Sequence, residues 1–161
     1  LLVTIMERSA EAIIRANSVI ALGDLCNRFP NLLDSWSQQM FLRLRDPEII
    51  VKMSALKVVT RLILSDILKV KGQISEIALL IVDENEELSS SSRLFFIELS
   101  KKQRSIYNVL PDLISHLSDT ESGLEEDKFR TVMKYCFDLI EKDRESVCLV
   151  EKLCQRFRTT T

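Results

Sequence analysis

The sequence predicts an all-α solenoid, a row of about four antiparallel helical hairpins, and three observations carry that prediction. The first is a repeat. The hydrophobic pattern of the 161 residues recurs every 37, with Ser9, Asp46 and Asp83 in register. Behind each of these an apolar stripe follows at matching offsets: Ile14, Val51 and Leu88, then Ala21, Val58 and Phe95, then Leu25, Leu62 and Leu99. A fourth copy starts near Leu124, after about four inserted residues, with Phe129, Cys136 and Ile140 in the places of Val51, Val58 and Leu62. A period of this length marks stacked supersecondary units, none of which buries its apolar face alone. The second observation is that three Gly and three Pro leave little punctuation for a many-stranded sheet. The third is that charged residues (29%) and apolar residues (46%) are mixed along the whole length, which argues for a packed core and against disorder.

The elements follow from spacing and caps. Ser9 is placed to cap a helix running to about Phe29, with Ile13, Ile14, Val19, Ile20 and Leu25 inward. Pro30 stops it, because the residue before a proline resists the helical region. A second helix, about Leu32 to Leu44, buries Leu33, Trp36, Met40 and Leu44. Asp46-Pro47 signals the start of a third, which runs to about Leu64 through Val51, Leu56, Val59, Leu62 and Ile63. Ser65 to Gly72 reads as a turn with a short helical piece, and Gln73 to Val82 as a fourth helix. Acidic residues from Asp83 to Glu87 favour a helix N-terminus, and helix five runs from there to about Lys102. Its run Ser89 to Ser92 forms helix poorly, yet such small residues permit close packing. Helix six spans about Ile106 to Leu117, with Pro111 in its first turns; Ser118 to Gly123 reads as a loop. Two helices complete the chain, about Leu124 to Lys142 and Arg144 to Arg156.

The hairpins therefore fall at about 9–45, 46–82, 83–119 and 124–158, in a single segment. Among helical repeats this period is nearest the helix-pair HEAT type, usually about 40–47 residues. Tetratricopeptide repeats, at about 34, carry a Trp-Leu-Gly-Tyr signature that is absent here. The Asp turn followed by the apolar-basic pair Val51-Lys52 suits HEAT repeats. Leu1 to Met6 is apolar where a terminal repeat should be polar, so the segment is expected to be cut from a longer solenoid.

No enzyme is expected from the inventory of chemical groups. The one histidine, His116, reads as a helix-surface or packing residue. Cys26, Cys136, Cys148 and Cys154 form no Cys-x-x-Cys pair, so neither a metal site nor a disulfide framework is expected, and a reducing compartment fits. Cys136, at a core position of the repeat, plays the usual packing role of a free cysteine. Gly23, Gly72 and Gly123 stand alone, so there is no glycine-rich phosphate loop and no cofactor is expected. No apolar run approaches the ~18 residues that a membrane span requires.

Charge is patterned. Arg43 to Ser75 carries a net +4, Glu76 to Ser100 a net −5, Lys101 to Arg104 +3, and Val109 to Asp127 −6. Equivalent turns of a solenoid line up along one edge, so one edge is expected to be basic and the other acidic. Lys69, Lys71, Lys101, Lys102 and Arg104 lie in or beside the turns inside repeats two and three, and are candidate contacts to nucleic-acid phosphates. Arg43 and Arg45 are weaker candidates. Ordinary solvated loop charge is the competing reading.

Several stretches resemble one family. Arg15-Ala16-Asn17-Ser18-Val19-Ile20-Ala21-Leu22-Gly23-Asp24-Leu25 and Arg28-Phe29-Pro30-Asn31-Leu32 are similar to the C-terminal HEAT region of the D-type non-SMC subunit of condensin I. So are Leu42-Arg43-Leu44-Arg45-Asp46-Pro47 and Leu68-Lys69-Val70-Lys71-Gly72-Gln73-Ile74-Ser75-Glu76. Tyr107-Asn108-Val109-Leu110-Pro111-Asp112 and Leu149-Val150-Glu151-Lys152-Leu153-Cys154-Gln155-Arg156-Phe157-Arg158 extend the likeness to nearly the whole chain. Where family members often carry basic residues after the third Asp turn, this chain has Ser89 to Ser92, so helix five is not expected to add to a basic surface. The resemblance implies a non-catalytic scaffold in mitotic chromosome condensation. Its partners would be the SMC ATPase subunits and the kleisin, with double-stranded DNA met through phosphate contacts. Neither a membrane nor a small-molecule substrate is implied. The location would be nucleus and chromosomes, with cytoplasm outside mitosis. ATP hydrolysis would belong to the SMC partners. The three prolines follow Phe29, Asp46 and Leu110, so no Ser-Pro or Thr-Pro phosphorylation site lies in this sequence. A generic HEAT adaptor or spacer in transport or trafficking, without DNA contact, is the alternative.

Overall fold

A computed structural model describes residues 1–69, 73–102, 106–119 and 124–159, and is all-α, with no strand among the described residues. The chain forms two compact units, Leu1–Ile77 and Ala78–Thr161. The first holds α1 (Leu2–Arg8), α2 (Ala12–Arg28), a 3-10 turn at Pro30–Leu32, and α3 (Leu33–Leu42), which tightens into a second 3-10 turn at Arg43–Arg45. It continues through α4 (Ile49–Leu64) into α5 (Ile74–Leu79). The second unit runs from the end of α5 through a 3-10 turn at Leu80–Val82, α6 (Glu86–Lys101), α7 (Ile106–Leu117), α8 (Glu126–Asp138) and α9 (Asp143–Thr159). Part of the predicted loop, residues 120–123, lies outside the described residues, as do 70–72 of the predicted turn.

The 37-residue register survives in three dimensions. α2, α4 and α6 begin at Ala12, Ile49 and Glu86, each three residues beyond Ser9, Asp46 and Asp83. The two aspartates act alike: Asp46 Oδ1 accepts the Glu48 amide at 3.0 Å and Asp83 Oδ1 accepts the Asn85 amide at 2.9 Å. This local bond turns the chain into the helix that follows. For α4 the cap sits two residues later than the sequence reading places it, at Glu48; α6 is capped by Asn85, within the predicted acidic stretch, whose side chain accepts the Leu88 amide at 3.1 Å. Ser9 is corrected too. It ends α1, a helix the sequence reading does not foresee, and its carbonyl accepts Arg15 Nη1 at 2.9 Å.

The stripe is buried in α4 (Val51, Val58, Leu62) and in α6 (Leu88, Phe95, Leu99). In α2 it is not. Ile13, Ile14, Ile20 and Leu25, expected inward, are exposed, while Val19 is buried as expected. The helix instead buries a line through Ala16, Val19, Leu22 and Cys26, and Gly23 meets α4 at Val58. α2 is apolar around most of its circumference, so periodicity alone does not choose the inward face. Its neighbours α1 and α4 choose it.

In the second unit Phe95 and Phe96 meet edge-on, with ring centroids 5.1 Å apart, and Phe96 is wholly buried. The serine run does allow a close fit. Ser89 donates its hydroxyl to the Ile81 carbonyl at 2.7 Å, and Ser92 is fully buried. α7 packs on α9 and α8. Pro111 lies buried inside α7.

Cys136 fills the core place the repeat assigns it, and burial pushes its thiol up to about 12; burial raises Cys26 as well. Only a thiolate is an effective nucleophile. Iodoacetamide at about pH 8 is therefore expected to label exposed Cys154 and to spare Cys26 and Cys136 until the fold opens. Peptide mass spectrometry reads the difference, and early labelling of Cys136 contradicts the core assignment. Among the described residues no helix is long and apolar enough to cross a membrane.

Candidate nucleic-acid and partner interface

Both weaker candidates, Arg43 and Arg45, are paired with carboxylates of the first unit. The centre of that engagement is a residue the sequence reading did not select. Arg15 of α2 reaches Asp46 with two nitrogens, Nε to Oδ2 at 3.0 Å and Nη2 to Oδ1 at 2.9 Å, in a buried setting. Its Nη1 donates to the Ser9 and Ala10 carbonyls. Arg43 approaches the same carboxylate at 3.8 Å, with its side chain mostly covered. Burial works against ionisation of Asp46. The hydrogen bonds from Arg15 and the Glu48 amide, with the charges of Arg15 and Arg43, outweigh it and hold the carboxyl below its ordinary range. The hydrogen bond to Asp46 raises the Arg15 guanidinium in turn.

Arg45 makes a similar two-nitrogen pair, at a solvent-exposed position. Its Nε and Nη2 meet the Glu76 carboxylate at 2.6 and 2.5 Å, and that hydrogen bonding raises the guanidinium. Arg15 and Asp46 are 31 residues apart, and so are Arg45 and Glu76. A search of the sequence for opposite charges at this recurring separation would have found both pairs. The covered Arg15–Asp46 pair positions its turn more than it attracts a polyanion.

The turn lysines differ. Lys69 is exposed beside the turn that follows α4, a turn marked by the left-handed backbone of Asp66 at φ 57°. Lys101 is exposed at the end of α6, with a solvent-facing pair to Glu98 at 2.7 Å that leaves it largely in water. Lys102 follows it, half-buried, as the cap of α6. Lys71 and Arg104 lie outside the described residues. Arg43, Arg45 and Lys69 thus belong to the first unit, and Lys101 and Lys102 to the second. Arg28, stacked 6.0 Å over the exposed Phe29 ring at the turn after α2, is a further basic turn residue that charge counting passed over.

The second unit adds two shallow grooves. One of about 400 Å³, between α7 and α9, is lined by Asn108, Asp112, Lys152 and Arg156, whose polar groups meet one another: Arg156 pairs with Asp112 at 2.7 Å and Lys152 with Asn108. The other, also about 400 Å³, is apolar and runs along α9 through Val150, Leu153, Cys154 and Phe157. Val150 and Phe157 are more than half exposed. No group of three or more His, Cys, Asp or Glu side chains converges on a metal-sized site among the described residues.

This is a surface of turns and helix faces. The sequence model of the family described as non-SMC mitotic condensation complex subunit 1 matches residues 13–161. The chain belongs to this family. It is similar to condensin complex subunit 1 of Xenopus laevis, with 50% identity over 159 residues, covering 99% of the chain and 12% of that protein. The subunit of the same name from Homo sapiens is 51% identical over 160 residues, covering 99% of the chain and 11% of the human protein. The Arabidopsis thaliana condensin-1 complex subunit CAP-D2 is 46% identical over 162 residues, covering 100% of the chain and 11% of its own length. The chain thus spans about an eighth to a ninth of the curated relatives it matches.

Proposed function

We propose that this chain is a non-catalytic HEAT-type segment of a condensin non-SMC subunit, active in chromosome condensation. It presents helix faces and turns to the SMC and kleisin subunits and makes auxiliary contacts to double-stranded DNA through basic turns. The carrying observation is the family match over residues 13–161, joined to exposed basic side chains at the turn after α4 and the end of α6. Helix-borne scaffolds bind through exposed apolar stripes, and α9 offers one in Val147, Val150, Cys154 and Phe157, spaced at helical intervals. Location in the nucleus and on chromosomes follows from the same reading.

The DNA contact has a direct test. Replacing Lys69, Lys71, Lys101, Lys102 and Arg104 with Glu should weaken binding to a duplex of mixed sequence. It should also lower the slope of log affinity against log salt by about one for each phosphate that is no longer neutralised. The melting temperature should hold if the loss is one of DNA contact and not of folding. Fluorescence anisotropy at several salt concentrations reads the slope; an unchanged slope removes DNA from the reading. Co-purification of the chain with SMC heads and with kleisin tests the protein partners separately.

A further inference from the structure

We propose that Thr159, in the last turn of α9, is a phosphorylation site, and that a phosphate there releases the ion pair holding the end of α9 to α7. Of the serines and threonines in the sequence, Ser18, Thr159 and Thr161 follow an arginine by three residues. Ser18 is buried and donates its hydroxyl to the Ile14 carbonyl, so it is closed to an enzyme. Thr159 is exposed, and so are Arg156, three residues before it, and Arg158, one before it. Two guanidinium groups so placed fit a protein kinase whose peptide cleft is lined by carboxylates.

The structure gives Arg156 a second role. Its Nη1 pairs with Asp112 Oδ1 of α7 at 2.7 Å, and the two side chains are 42% and 47% exposed. Asp112, Arg156 and Thr159 line one groove between α7 and α9. The Thr159 hydroxyl donates to the Arg156 carbonyl at 2.8 Å, which keeps it inside the helical turn. A kinase that reads Arg156 must therefore draw that side chain from Asp112 and open the turn. Residues three apart on a helix share a face, so a phosphate on Thr159 comes within reach of Arg156. It carries about −1.5 to −2 charges near pH 7, draws the guanidinium and repels the Asp112 carboxylate across the groove. The pair thus restrains the modification, and the modification keeps the pair apart.

ATP is the donor. A bond forms from Thr159 Oγ1 to the γ-phosphorus, and the bond from that phosphorus to the β,γ-bridging oxygen breaks. The hydroxyl proton passes to the kinase aspartate, and ADP leaves. This inference goes beyond the proposed function and does not depend on DNA, SMC or kleisin binding.

The test uses the chain with Thr160→Ala and Thr161→Ala, so that this run offers one acceptor. It is incubated with ATP and calcium/calmodulin-dependent protein kinase, which reads an arginine three residues before the acceptor. Peptide mass spectrometry follows the phosphate, and circular dichroism confirms that each variant is folded. Thr159 should be modified. Asp112→Asn should raise the initial rate about twofold to fivefold, the range that an exposed ion pair supports. Arg156→Ala frees the helix end but removes the recognised cation, so the rate should fall at least about tenfold. A rise instead would make Arg156 merely structural and overturn the proposal. So would the absence of phosphate on Thr159 in both the parent and Asp112→Asn, or equal rates in the two. Hydrogen exchange then reads the pair itself. In the phosphorylated chain the amides at the end of α9 should exchange at least about threefold faster, with α2 and α4 unchanged. Unaltered exchange in α9 would show that the phosphate does not release the helix.

Discussion

Replacing Asp46 with alanine should lower the stability of the first unit by about 2–3 kcal/mol. The change leaves Arg15 covered and without the carboxylate that meets two of its nitrogens, and it removes the acceptor that turns the chain into α4. Losing one partner of a buried ion pair commonly costs about 3–5 kcal/mol. The expected figure is lower because Arg15 keeps its bonds to the Ser9 and Ala10 carbonyls. The pair also predicts a pH dependence with a definite sign. The folded-state pKa of Asp46 lies below its ordinary 3.8, so its contribution is complete above that value and is lost as pH falls below it. Asp46→Asn should flatten that part of the acid limb. Urea unfolding of both proteins from neutral pH down to about pH 3 measures the effect. Parallel acid limbs would show that the pair does not stabilise the fold.

The second large effect is expected at Gly23. A Cβ there would stand 2.4 Å from Val58 Cγ1 and 3.2 Å from its Cγ2. Val58 is buried and β-branched, so it cannot swing clear as a long side chain could. Glycine inside a helix normally costs about 1 kcal/mol relative to alanine, yet the close approach of α2 and α4 reverses the preference here. Gly23→Val should destabilise by about 3 kcal/mol, from overpacking that forces the helices apart. Val58→Ala should itself cost about 2 kcal/mol by leaving a cavity. The double variant should lose less than the sum of the two, by about 1–2 kcal/mol, because each change relieves the other. Additive losses in a double-mutant cycle would contradict the contact.

The candidate interface was partly legible in the sequence. Lys69 and Lys101 stand at turns and in solvent because charge runs placed between apolar stripes have nowhere else to go. Arg43 and Arg45 are the weaker candidates by sequence, and the fold treats the two differently. Arg43 is mostly covered beside Asp46, whereas Arg45 pairs with Glu76 while its own side chain stays in solvent. Arg15 was hidden. A lone arginine inside an apolar run reads as an interruption of the helix face until its partner 31 residues away is in view. The Asp46 turn was found but was assigned to capping, because sequence spacing does not separate a side chain that caps a helix from one that bends the chain two residues earlier.

The sequence by itself determined the helical class, the 37-residue period and the positions from which each of the first three repeats launches its leading helix. These are local properties, carried by the alternation of apolar and polar residues and by aspartates that bond their own backbone. The tertiary structure alone decided which face of α2 turns inward and where its glycine must sit. It also decided which arginines spend their charge inside the fold. Each of those outcomes depends on a neighbour that the chain meets only after folding: a helix with apolar residues on several sides can bury any of them, and the packing partner makes the choice.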